Sequence, residues 1–287
     1  MARNNNVKHR PARSDAALSS RPWPSWVWAV AALVAAAVLA AVHQAQQTST
    51  MPAPAPAPAP ARAATAARAA TKLHFAAQGG KLEEARLLLE RGAAAVDAQT
   101  KLGATALHVA AEQGQLGVLE LLLEHGAAVD LRTDAGLTAL HFAAEHDRRD
   151  VARRLLRAGA AVDARTLTGH TTLHVALTKG HTEAAHLLLT EGRASVDATT
   201  HLGHTGLHLA SLTGGAAAVR MLLEAGAAVD ARTHTGLTSL HVAAQKGELA
   251  ICRLLLRGGG AVDAASHMGH TPLHLAAEEA AARHSEP

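Results

Sequence analysis

Between residues 71 and 287 the apolar positions of the chain fall into a short recurring rhythm. It is plainest from Thr105 to Leu137, where Leu107, Ala110 and Ala111 stand at i, i+3 and i+4. After a break at Gly114, Leu116, Leu119, Leu122 and Leu123 repeat the helical spacing, and Gly126 ends it. Thr105 suits an N-cap, its hydroxyl taking an amide of the first turn that has no partner in the helix. The two glycines suit left-handed helix ends. From Gly126 to Leu137 no helical period survives, and Val129-Asp130 and Gly136 read as an extended turn. The spacing therefore predicts helix, tight turn, helix and protruding loop.

The unit recurs. Thr-x-Leu-His begins at Thr71, Thr105, Thr138, Thr171, Thr205, Thr238 and Thr271, at intervals of 34, 33, 33, 34, 33 and 33 residues. A fixed period in this range marks a stack of small units, each unable to bury its apolar face alone. The pattern resembles the ankyrin repeat. Its T-P-L-H-x-A-A signature is most nearly complete at Thr271–Ala277, and its G-A-x-V-[ND]-A element recurs at Gly126–Leu131, Gly159–Ala164, Gly226–Ala231 and Gly259–Ala264. The resemblance spans about residues 66–287. It implies an all-α repeat solenoid, an antiparallel helix pair per repeat with β-hairpin loops projecting as fingers, and a protein-binding role.

Departures from the pattern are local. One extra residue falls near Ala93–Ala95 in the first copy and near Arg193–Ser195 in the fourth, where a loop can bulge without breaking the stack. In the third copy Asp147 replaces the inter-helix glycine, and Arg149 and Arg154 take leucine positions, so this repeat is expected to be the loosest. The seventh copy stops after its first helix, and its Glu278, Glu279 and Arg283 supply the polar end that a terminal repeat needs.

Ahead of the repeats the rhythm vanishes. Residues 1–22 form a basic tail, 23–43 a candidate transmembrane helix, 44–70 a Pro/Ala-rich disordered linker, and 71–287 the repeat domain. From Trp26 to Val42 there are 17 residues with no charged or strongly polar side chain, and eight are alanine. As a helix they span about 25 Å, just under a hydrocarbon core of about 30 Å. Trp23, Trp26 and Trp28 gather at one end like an interfacial anchor. No Lys or Arg follows until Arg62, so the positive-inside rule places the N-terminus in the cytosol and the repeats across a membrane. Two further readings fit the same residues: a secretory signal cleaved near Val38-Leu39-Ala40, and an organelle transit sequence. Alternating Pro and Ala from Pro52 to Pro60 favour an extended spacer.

Composition narrows the chemistry. The chain carries +3 overall, but Arg3, Lys8, Arg10, Arg13 and Arg21 against Asp15 put that surplus in the tail. Past residue 25, 22 basic residues meet 23 acidic ones, which gives no footprint for nucleic acid. The single Cys252 excludes an internal disulfide and sits where other copies carry Ala, Val or Leu. No phosphate-cradling glycine loop or nucleophile triad stands out. The recurring Asp97, Asp130, Asp163, Asp197, Asp230 and Asp263 belong to the loop motif, where a carboxylate can bond local amides.

Histidine is the remaining signal, with 20 copies. Seven belong to the motif and are expected to bond loops to helices. His201, His234 and His267 form one loop column, and His170, His204 and His270 another. Fingers about 10 Å apart cannot share an ion held at about 2.1 Å, which leaves only His201 with His204, or His267 with His270. No metal and no cofactor are assigned. Charging of the loop imidazoles near pH 6.5 would change the face shown to a partner.

The expected recognition surface is the row of finger tips: Lys101, Asp134, Leu167, His201, His234 and His267, flanked by Arg132, Arg165 and Arg232. With no Trp or Tyr there, affinity would be moderate. The sequence thus points to a non-enzymatic, monomeric scaffold for a protein partner, held to a membrane through Trp23–Val42 as a single-pass protein. The alternatives are a soluble or secreted ankyrin adaptor released from its N-terminal segment and, less favoured, a histidine-dependent metal or pH-responsive module.

Overall fold

The structure, a computed structural model, describes residues 60–92 and 94–284. The candidate membrane segment lies outside these, as does the linker up to residue 59. Thirteen helices are found among the described residues: α1 Pro60–Gly79, α2 Leu82–Glu90, α3 Ala106–Gln113, α4 Leu116–Glu124, α5 Ala139–Glu145, α6 Arg149–Arg157, α7 Thr172–Thr178, α8 Thr182–Thr190, α9 Gly206–Leu212, α10 Ala216–Glu224, α11 Ser239–Lys246, α12 Leu249–Arg257 and α13 Pro272–His284. Helices pair within each repeat, odd-numbered helices pack on odd-numbered neighbours, and even-numbered on even-numbered. This is the repeat solenoid the period predicts.

Its core is one continuous layer of small and branched aliphatics. Leu107, Leu140, Leu173, Leu207 and Leu240 repeat as one column, and Leu122, Leu155, Leu188, Leu222 and Leu255 as another, all almost fully buried. Ala76, Ala110, Ala143, Ala176, Ala210 and Ala243 lie between neighbouring first helices with no exposed surface, and their small side chains let those helices approach closely. The fingers are tight turns, with no strand among the described residues. Each closes on itself, as Thr133 N–H donates to Leu137 O (2.9 Å) and Gly136 N–H to Thr133 O (2.8 Å). A single main-chain bond then links each finger to the next, too little for a ladder.

The first repeat begins differently from its sequence reading. α1 starts at Pro60, well before Thr71. Proline fits the first position of a helix, and the alanine- and arginine-rich stretch after it favours continuation. Thr71 is consequently inside a helix and not at its N-cap. His74 turns its Nδ1 to Ala70 O (2.6 Å), one turn back, instead of to a capping threonine.

The extra residues bulge locally. In the second repeat Ala127 N–H reaches Leu122 O (3.0 Å), whereas in the fourth Ala194 N–H reaches Leu188 O (2.9 Å) across one more residue. Arg193 adopts φ +55° to close that loop. In the third repeat Asp147, at φ +52°, takes the conformation that glycine holds in its neighbours. The arginines of α6 bond outward in both directions, Arg154 to Glu120 (3.5 Å), Arg149 to Glu183 (4.0 Å) and Arg153 to Glu191 (3.0 Å). Surface pairs of this kind contribute at most about 1 kcal/mol each. They tie the repeat expected to be loosest to both of its neighbours.

Candidate functional site

The polar residues that recur in phase are used to join repeats. In α3, the backbone N–H and hydroxyl of Thr105 lie 3.1 and 2.8 Å from His108 Nδ1. The same arrangement returns at Thr138–His141, Thr171–His174, Thr205–His208 and Thr238–His241. It is a capping box in which histidine replaces the usual Glu or Gln. A nitrogen that accepts an amide proton is unprotonated, so Nε2 carries the hydrogen. That Nε2–H donates into the next finger, to Leu131 O and Leu137 O from His108, to Leu237 O from His208 and to His270 O from His241. In His141 and His174 the same nitrogen faces the equivalent carbonyls without reaching hydrogen-bond geometry. Burial lowers the basicity of His108, His141, His174, His208 and His241, and brings His141, His174 and His208 down to about 4.

The aspartates also reach across repeats, which corrects the local role assigned to them from sequence. Asp97 accepts from Ala128 N–H (3.0 Å), Asp130 from Ala161 (2.9 Å), Asp163 from Ser195 (3.1 Å), Asp197 from Ala228 (2.9 Å) and Asp230 from Ala261 (2.9 Å). The finger hydroxyls act locally, as expected: Thr133 accepts from Leu137 N–H and Thr200 from His204 N–H.

All nine predicted contact residues are exposed, but they are not equivalent. Backbone N–H groups at Asp134, Leu167, His201, His234 and His267 donate to the preceding finger, at Leu102, Ala135, Thr168, Leu202 and Thr235. Arg132, Arg165 and Arg232 are clamps. Each guanidinium bonds a carbonyl of its own finger, at Gly136, Gly169 or Gly236, and one of the next, at Arg165, Thr199 or Ala265. The rings of His201, His234 and His267 lie over Gly169, Gly203 and Gly236, where a Cβ would come within 2.5 to 2.8 Å of the imidazole. Lys101, Asp134 and Leu167 complete the row.

Sequence reasoning missed the neighbours of the tips. Leu102, Leu202 and Met268 are 73%, 50% and 80% exposed, one position past the tip column. Their signal was the break in phase, since the same column holds Ala135, Thr168 and Thr235 elsewhere. The second histidine column packs inward: His170, His204 and His270 sit 6.0, 5.9 and 6.3 Å from the rings of His174, His208 and His274. Burial, then neighbouring imidazoles, lower the basicity of His170 and His204. Among the described residues no three His, Cys, Asp or Glu side chains converge as metal ligands would. Cys252 is half-buried and its thiol is pushed up by burial, the opposite of an activated thiolate. A shallow groove at Gly114, Asp147, Arg148, Arg149, Asp150 and Arg153 is walled by side chains that bond one another and the neighbouring repeats.

A family model described as ankyrin repeats (three copies) matches residues 73–166, 117–202, 140–233 and 207–286. The structure is similar to the crystal structure of the ankyrin repeat domain of Bcl-3, a unique member of the IkappaB protein family. The match has a TM-score of 0.65 and 32% sequence identity, and covers 71% of this chain and 92% of that one. No curated protein matches the sequence. With the family model spanning most of the chain and a repeat bonded to its neighbours through His, Asp and Arg, this chain belongs to the ankyrin-repeat family.

Proposed function

We propose that the chain is a non-enzymatic protein–protein interaction scaffold whose finger row meets a protein partner. The observation that carries this reading is a division of labour along each finger. In-phase Thr side chains cap helices and close fingers and in-phase His, Asp and Arg side chains join repeats, while Lys101, Leu102, Asp134, Leu167, Leu202 and Met268 point outward and differ from copy to copy. A row that varies on a fixed frame can select a partner without altering the fold. Charges of both signs beside exposed leucines suit a partner surface of mixed character.

The scaffold is tethered to a membrane through Trp23–Val42, with the basic N-terminus cytosolic and no nucleic-acid partner. Support for the tether is the sequence of that segment alone: among the described residues no helix is long and apolar enough to cross a membrane. Proximity labelling from a tag after Pro287, run beside a protease-protection assay, tests both parts. Labelled protein neighbours that disappear when Leu102, Leu167 and Leu202 are changed to Glu are the expected result. Neighbours unchanged by those substitutions remove the finger row as the contact surface. A mature N-terminus beyond residue 38 on sequencing replaces the tether with the released adaptor.

A further inference from the structure

Taken whole, the finger row carries both signs of charge, but the signs are segregated along the stack. Its one acidic tip, Asp134, stands in the second finger, next to Lys101 of the first. The four fingers that follow close on residues 164–170, 198–204, 231–237 and 264–270. They contain Arg165, Arg232 and six histidines, and no Asp or Glu. The aspartates of these repeats stand two residues before Arg165, Thr199, Arg232 and Ala265. There Asp163, Asp197 and Asp230 each accept an amide of the next repeat, and Asp263 takes the same place. Arg165 and Arg232 bond carbonyls, and neither has a carboxylate partner among the described residues. The first helices follow the same division. Seven residues past the motif threonine, about 10 Å along the helix, stand Glu112 and Glu145, then Thr178, Leu212 and Gln245, with Glu278 returning in the last.

Resting on the reading of the finger row as the contact surface, we infer that the third to sixth fingers take an acidic segment of the partner. Its carboxylates meet the tip imidazoles, its apolar side chains meet Leu167, Leu202 and Met268, and it is held more tightly as pH falls below about 6.5. The rings of His201, His234 and His267 are exposed and lie over the preceding finger. The titratable and charged groups around them are all basic. Beyond the effect of burial, His170 feels His201, and His204 feels both His170 and His234. Arg165 reaches Thr199 beside His201, and Arg232 reaches Ala265 in the finger that holds His267 and His270. Each added proton therefore makes this stretch more positive, with no acid of its own to answer it. Four fingers about 10 Å apart span about 30 Å, the reach of about nine extended residues. The tip amides at Leu167, His201, His234 and His267 are already given to the preceding finger. Recognition thus falls to side chains and not to strand addition. Phosphates of a nucleic acid would meet the same charges, but these tips offer no Phe, Tyr or Trp for a base to stack on. An acidic peptide uses both the cations and the leucines.

Panning a random library of peptides about twelve residues long at about pH 6, against the immobilised full-length chain in neutral detergent, tests this. Selected peptides should be rich in Asp and Glu with apolar residues between them. They should bind roughly tenfold more weakly at about pH 8, about twofold for each of three exposed imidazoles. Peptide carboxylates stay ionised across that range, and His141, His174 and His208, held at about 4, stay neutral. Raising salt from about 50 to 300 mM should weaken binding as well. His201→Gln, His234→Gln and His267→Gln together should abolish the pH dependence, with circular dichroism at both pH values reporting that the helices persist. Neutral or basic peptides that are lost with Leu167→Glu would overturn the acidic assignment and leave the finger row standing. Peptides indifferent to all of these substitutions would remove the row itself. A library that yields no binder, affinity that is flat with pH, or displacement by an oligothymidylate of equal length would each overturn the proposal.

Discussion

A histidine that receives an amide proton on Nδ1 has no place for a second proton there. His141, His174 and His208, buried and held near 4, stay neutral in the fold while the same groups in an unfolded chain charge near 6.5. Their contribution is therefore complete above pH 6.5 and is lost as pH falls toward 4, roughly 3 kcal/mol per group. The urea midpoint should fall steeply across that window and lie flat above it; a midpoint constant from pH 7 to 4 would contradict the tautomer assigned to these rings. Two other residues carry backbone strain. Arg193 and Asp147 hold positive φ where most copies use glycine. Arg193→Gly and Asp147→Gly should each stabilise the chain by about 1 kcal/mol, read as a rise in the denaturation midpoint.

At the scale of helices, the fourth and fifth repeats show a matched exchange of volume. Leu177 stands where most other copies carry alanine, and Gly206, at the first position of α9, faces it. A Cβ on Gly206 would come 2.7 Å from Leu177 Cδ1. Gly206→Ala should cost about 1–3 kcal/mol by overpacking, and Leu177→Ala about 2–5 kcal/mol through the cavity it leaves. Together they should recover much of the loss; strictly additive costs would mean the pair is not coupled. Helices and their order were legible in the chain because Leu and Ala spacing is a local signal. The start of α1 was not: residues 44–70 read as one Pro/Ala-rich linker, and the alanines after Arg62, which favour a helix, carry no apolar period to mark where it begins. Nor could sequence show that Asp97 or Arg232 bonds the next repeat, because the partner is a backbone group present at every position. Finger position was legible; which finger residues remain free for a partner was not.

In the stack as a whole, stability is held between neighbours, so position along it matters. Interior repeats are covered on both sides, whereas Phe75 at one end is 64% and Leu273 at the other 75% exposed. Amide exchange should be slowest from α5 to α10 and fastest in α1, α2 and α13; uniform protection across all thirteen helices would show that the array opens only as one unit. The aspartate bonds have a wider consequence. Asp97 and Asp130 each reach an amide 31 residues ahead, so removing or duplicating one full period leaves every donor opposite an acceptor of the same kind. Such a gene can gain or shed modules by unequal recombination without loss of register, and its reach becomes a trait that selection can lengthen one cassette at a time.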